Sequence, residues 1–141
     1  MKAQILLLTL VCLFYCAPLF SQKPVKKSKR DTIAAIYPGG DQEWVAWLGK
    51  KIKSQVPVKK GAPAGKYTVI AVFTIGTDGK LQDIEIVQDP GYGTAEEVTR
   101  VLKNAPKWIP ATLNGEPVPY RQRQPLIFQV AEEEIKKKKG E

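Results

Sequence analysis

The groups in this chain best suited by type and spacing to do chemistry are carboxylates. Asp78, Asp83, Glu85 and Asp89 fall within one short stretch. Such a set can hold a hard cation through oxygen, or divide acid and base roles. Their pattern argues against both uses, because Asp83 and Glu85 alternate with Ile84 and Ile86, as solvated residues do on a half-buried strand. Other chemistries are limited by inventory. The chain has no histidine, and its two cysteines are Cys12 and Cys16. Beyond those, Cys/His zinc sites and Ser-His-Asp or Cys-His nucleophile systems are excluded. Trp108-Ile109-Pro110 reads as core packing with a rigid turn, ahead of an aromatic ligand platform. Arg121 and Arg123 either dock an acidic partner or guard a strand edge against aggregation. No catalytic residue, metal site or cofactor is expected.

The chain of 141 residues suits one domain of roughly 100 residues plus tails. Lys2, an apolar run from Ile5 to Tyr15 and the stretch Ala17–Gln22 read as a secretory signal over residues 1–21. Cleavage is expected after Ser21, with Gln22 the neighbouring choice. The apolar run is shorter than the ~20 residues of a spanning helix, so an uncleaved membrane anchor is the alternative reading. Lipidation is disfavoured, because Cys16 follows Tyr15 and Cys12 follows Val11 where a small residue is wanted. A cleaved chain holds no cysteine, and its domain rests on its core without disulfides.

The formal charge is +8, and it is unevenly spread. Residues 22–35 read as a basic, disordered arm, with five positive charges and one negative between Lys23 and Asp31. Residues 132–141 read as a charged, solubilising tail whose glutamates precede its lysines and could extend a helix. Residues 32–131 carry 12 basic and 9 acidic groups. That near-balance argues against nucleic acid, which selects a basic stripe on the fold itself.

Between the tails the patterning predicts two helices and three strands. Tyr37-Pro38-Gly39-Gly40 is a turn. Asp41 opens an amphipathic helix with Trp44, Trp47, Leu48 and Ile52 on one face, broadened by Val45 and stopped by Pro57. Residues 66–76 alternate, with Tyr67, Val69, Ala71, Phe73 and Ile75 on the buried face. Asp78-Gly79 turns the chain into a return strand, Leu81–Gln88. Thr94 and Glu97 form a capping box for a second helix through Val98, Val101, Leu102 and Ala105. Asn114-Gly115 makes another tight turn. The last strand is Val118–Val130, with two prolines and two arginines on one parity. Proline breaks a ladder, so this strand belongs at an edge. The expected fold is α+β, a two-layer domain with a three-stranded antiparallel sheet and two helices on one face.

These pieces, in this order, resemble the C-terminal domain of the TonB energy transducers, in the variant whose added helix opens with Pro-Gly-Gly. The residues that carry the resemblance are Pro38, Gly39, Gly40, Asp78, Gly79, Trp108, Pro110, Asn114 and Gly115, with Pro125-Leu126-Ile127-Phe128 closing the match. The resemblance implies a non-enzymatic periplasmic domain over 36–131. It implies that the last strand pairs with a short receptor segment, the TonB box, by β-augmentation. The residues carrying this would be Val118, Tyr120, Arg121, Gln122, Arg123, Gln124, Leu126 and Phe128. The partners implied are segments of outer-membrane receptors or other periplasmic strands. A second copy of the chain and an anionic envelope surface, reached by the basic arm, are the other partners weighed. The alternative function is a self-associating envelope protein with no part in energy transduction. Two features depart from the family. Val56-Pro57 stands where Tyr-Pro is usual before the first hairpin. The stretch Lys23–Ala35, at most roughly 45 Å when extended at ~3.5 Å per residue, stands where a transducer has a long Pro-rich spacer.

Overall fold

The computed structural model describes residues 31–140. Their elements run β1 (Thr32–Ile33), α1 (Asp41–Lys51), α2 (Val56–Lys59), β2 (Gly65–Ile75), β3 (Leu81–Gln88), α3 (Thr94–Lys103), β4 (Ala111–Leu113), β5 (Glu116–Val118), β6 (Tyr120–Val130) and α4 (Glu132–Lys139). The alternating stretch became β2, the centre of an antiparallel sheet ordered β3-β2-β6. Val69, Ala71, Phe73 and Ile75 of β2 are wholly removed from solvent. Thr68, Ile70, Val72 and Thr74 on the opposite face are half-buried. Trp44 and Leu48 of α1 and Val98, Val101 and Leu102 of α3 complete one core on the same side. Each such side chain contributes about 1.5–3 kcal/mol by leaving water. The expected α+β architecture, with both long helices on one face of a three-stranded sheet, is present.

Several details differ. A second sheet, ordered β1-β4-β5, flanks the first. Thr32 pairs with Leu113 and Ile33 with Thr112. Farther along the chain, Ile36 and Ile109 exchange two backbone hydrogen bonds of 3.0 and 2.9 Å. The arm expected over 22–35 therefore gives up its last residues to the domain; residues 22–30 and the expected signal lie outside the described residues. Pro57 does not stop α1, which ends at Lys51. It sits near the start of α2, where its missing N–H costs nothing.

The capping box is also absent. Gly93 is the N-cap of α3, at φ 73°, and Thr94 lies inside the helix. Its hydroxyl donates to the Gly91 carbonyl at 2.7 Å, while Glu97 is drawn away to the Lys53 N–H just past α1. Nor does β3 alternate cleanly. Asp83 takes φ 51°, and the β2–β3 register shifts between Val72 and Thr74, which marks a bulge.

The motif glycines and aromatics have one structural purpose. Gly79 sits at φ 80° in the β2–β3 turn. A Cβ there would lie 2.1 Å from the Trp108 carbonyl oxygen, and the Trp108 N–H donates to the Gly79 carbonyl at 2.8 Å. The turn is thereby stitched to Trp108. The Trp108 ring meets Tyr37, Trp44 and Phe73 edge-on, at centroid distances of 5.7, 5.0 and 6.2 Å. Its indole N–H has no acceptor among the described residues, so packing alone holds the side chain. Trp108 is a core residue at 5% exposure.

Candidate peptide-binding edge

The geometry of the outer strand follows from one hydrogen bond in a turn. The Gly76 N–H donates to the Lys80 carbonyl at 2.9 Å. Backbone groups alternate sides along a strand. Gly76 and Thr74 therefore address β3, while Ile75, Phe73, Ala71, Val69 and Tyr67 address β6. Their partners in register are Tyr120, Gln122, Gln124, Leu126 and Phe128. The intervening residues Arg121, Arg123, Pro125, Ile127 and Gln129 turn their backbone groups outward, where no strand of the described residues lies beside them.

This alternation explains Pro125. It stands on the outward parity, so the ladder with β2 loses nothing, and the outer edge lacks one donor. The side chain of Gln124 occupies the same spot. Its Nε2 donates to the Pro125 carbonyl at 2.9 Å, and its Oε1 accepts from Trp44 Nε1 at 2.8 Å. That second bond ties α1 to the strand edge. Between the two runs a groove of about 320 Å³, walled by Val45, Leu48, Gly49 and Ile52 of the α1 segment and by β6 from Gln124 to Gln129.

Glu97 and Arg100 of α3 hold α1 in that position. Glu97 accepts the Lys53 N–H at 2.8 Å and Arg100 Nε at 2.9 Å. Arg100 Nη2 also donates to the Lys51 carbonyl at 3.0 Å, at the open end of α1. The Arg100 hydrogen bond holds the Glu97 carboxyl below the usual carboxylate range. Burial opposes the shift, and the Lys53 N–H assists it.

The predicted site residues are only partly brought together. Val118 is not on this edge. It pairs with Ala111 in the second sheet, because Pro119 interrupts the chain between β5 and β6. Tyr120, Gln122, Gln124, Leu126 and Phe128 point toward the core side and bond β2. Arg121 reaches across β2 to Glu85 at 3.3 Å, with both side chains largely exposed. Arg123 makes no ion pair among the described residues. Sequence reasoning missed Ile127 and Gln129, which hold outward backbone groups, and Gly49, which opens the groove wall. The parity of Pro125 was the available signal for the first two. The carboxylates singled out by spacing do not converge. Asp78 accepts the Lys80 N–H at 3.1 Å and Asp89 the Gly91 N–H at 2.8 Å, so each builds its own turn.

Residues 66–130 match the family described as the Gram-negative bacterial TonB protein C-terminal. This stretch is a TonB C-terminal domain. The match runs from β2 to the last residue of β6, and so takes in the main sheet and α3 while leaving out β1, α1, α2 and α4. No curated protein matches the chain. TonB C-terminal domains are non-enzymatic protein-interaction modules of TonB-dependent transport, associated with the cell envelope. Among the described residues no helix is long and apolar enough to cross a membrane.

Proposed function

We propose that the domain captures extended segments of outer-membrane receptors, or of other periplasmic proteins, by adding them as a strand to β6. The observation that carries this reading is the outer edge of β6. It is eleven residues long and pairs with β2 without a register break. Arg121, Arg123, Ile127 and Gln129 there offer backbone donors and acceptors to an incoming chain. The other edge, β3, is the poorer template. It is bulged at Asp83, and at eight residues it is shorter than the eleven of β6. Such features protect an edge from pairing. On this reading the domain works in the periplasm after export through residues 1–21.

Titration of the isotope-labelled domain with a TonB-box peptide tests the proposal. The expected result is shifts of the Arg121, Arg123, Ile127 and Gln129 amides. An unperturbed β6 at millimolar peptide would overturn it. Mass spectrometry of the chain recovered from envelope fractions checks the export step, for which the expected N-terminus is Gln22. An intact Met1 or Lys2 would instead mean a retained anchor.

A further inference from the structure

We propose that α1 supplies the side-chain half of this recognition: the groove beside Gly49 takes large apolar side chains of the added strand, and Arg123 takes an acidic one. The inference rests on strand addition at β6 and goes beyond it by naming the chemistry of the segment.

Gly49 is the first reason. It lies inside α1, and glycine is the poorest helix former after proline. A backbone strain or a close approach would justify it, and neither is present. Its φ is not in the left-handed region, and a Cβ built on it meets nothing within 4 Å. The isolated fold therefore has no use for a glycine here. An added strand does, because Gly49 is in the groove wall facing Leu126, Ile127 and Phe128. Val45, one turn earlier on the same face, is 62% exposed, an apolar side chain that no described residue covers.

Register supplies the spacing. Residues directly opposite one another in a sheet share a face. Positions of an added strand opposite Leu126 and Phe128 project toward α1 and the groove. A position opposite Arg123 projects from the outer face. Strand β6 carries two arginines and no acid. Arg121 is engaged by Glu85, which leaves Arg123 as the cation for an incoming carboxylate. Pro125 and the Gln124 side chain leave little to bond at the position between. The segment that fits is thus an acid followed or preceded, three and five positions away, by large apolar residues. That spacing is the same whichever way the strand runs.

The test uses two synthetic peptides in a threonine background, one reading Asp-Thr-Thr-Leu-Thr-Leu and one its reverse. Each is titrated against the wild-type domain and Gly49→Leu. The expected result is that one peptide shifts the Arg123, Ile127 and Gln129 amides. Gly49→Leu should weaken it about tenfold or more with a thermal midpoint no lower than that of the wild type, since leucine is the better helix former. A control peptide with glycine for both leucines should not distinguish the two proteins. Arg123→Glu should slow association at low salt, a difference that high salt erases. Should Gly49→Leu fail to fold, Val45→Lys at its exposed position takes its place, with the same expectation. Equal binding by wild type and variant would overturn the groove and leave strand addition standing. No shift along β6 with either peptide would overturn the inference. Strand addition itself falls only if the TonB-box peptide is silent as well.

Discussion

Glu97 is one carboxylate that joins two backbone segments. It is 7% exposed and links its own helix to the N–H of Lys53 and, through Arg100, to the carbonyl of Lys51. Its folded pKa lies below the ordinary value of ~4.3. The ionised form therefore stabilises the fold at neutral pH, and that stability is lost as pH falls through the lowered value. Glu97→Gln should cost ~2 kcal/mol at pH 7. Urea unfolding from neutral to acid pH should show a wild-type stability that declines below about pH 4 and a flatter decline in the variant. Parallel slopes would show that Glu97 is not the group responsible. Arg121 and Glu85 are a contrast at the same scale. Both are exposed, and such a pair contributes ~0–1 kcal/mol.

At the scale of elements, α4 is the departure from expectation. Its composition reads as a solvated tail, yet two contacts dock it. Ile135 packs on the satellite cluster of Val58, Ala62 and Val130. Lys138 Nζ donates to the carbonyls of Val58 and Lys59, each at 3.0 Å. Those carbonyls close α2, where helical acceptors are left without partners and positive charge is favourable. A chain ending at Ala131 should lose ~1 kcal/mol of stability, read as a lower urea midpoint with little change in slope. An unchanged midpoint would return the segment to the role of a tail. The glycine of α1 shows the converse: there a poor helix former is kept in an element that gains nothing from it.

For the whole molecule, the second sheet decides where the domain begins. The family match starts at residue 66, yet the chain is already bound to the fold at Asp31, whose carbonyl accepts the Asn114 N–H at 2.8 Å. A chain beginning at Tyr37 should melt at least ~4 °C below one beginning at Asp31, the shift expected for ~1 kcal/mol in a domain of this size. Equal melting temperatures would make β1 dispensable. If β1 holds, the stretch left between the expected signal and the domain is Gln22–Arg30, about 32 Å when fully extended.

Much of this was legible in the residues themselves. Period-two burial located β2, because a strand covered on one face must alternate. Asp78-Gly79 and Asn114-Gly115 located both tight turns, because the backbone there enters a region that glycine and asparagine tolerate. Proline and arginine on one parity placed β6 at an edge. What needed the tertiary structure were the long-range choices. Glu97 abandons its local cap because Lys53 and Arg100 offer a better-satisfied site. Val118 joins another sheet because Pro119 breaks the strand. Gly49 becomes a groove wall only once α1 lies along β6. Local chemistry is written in neighbouring residues, whereas these outcomes depend on which distant groups the packing brings within a few ångströms.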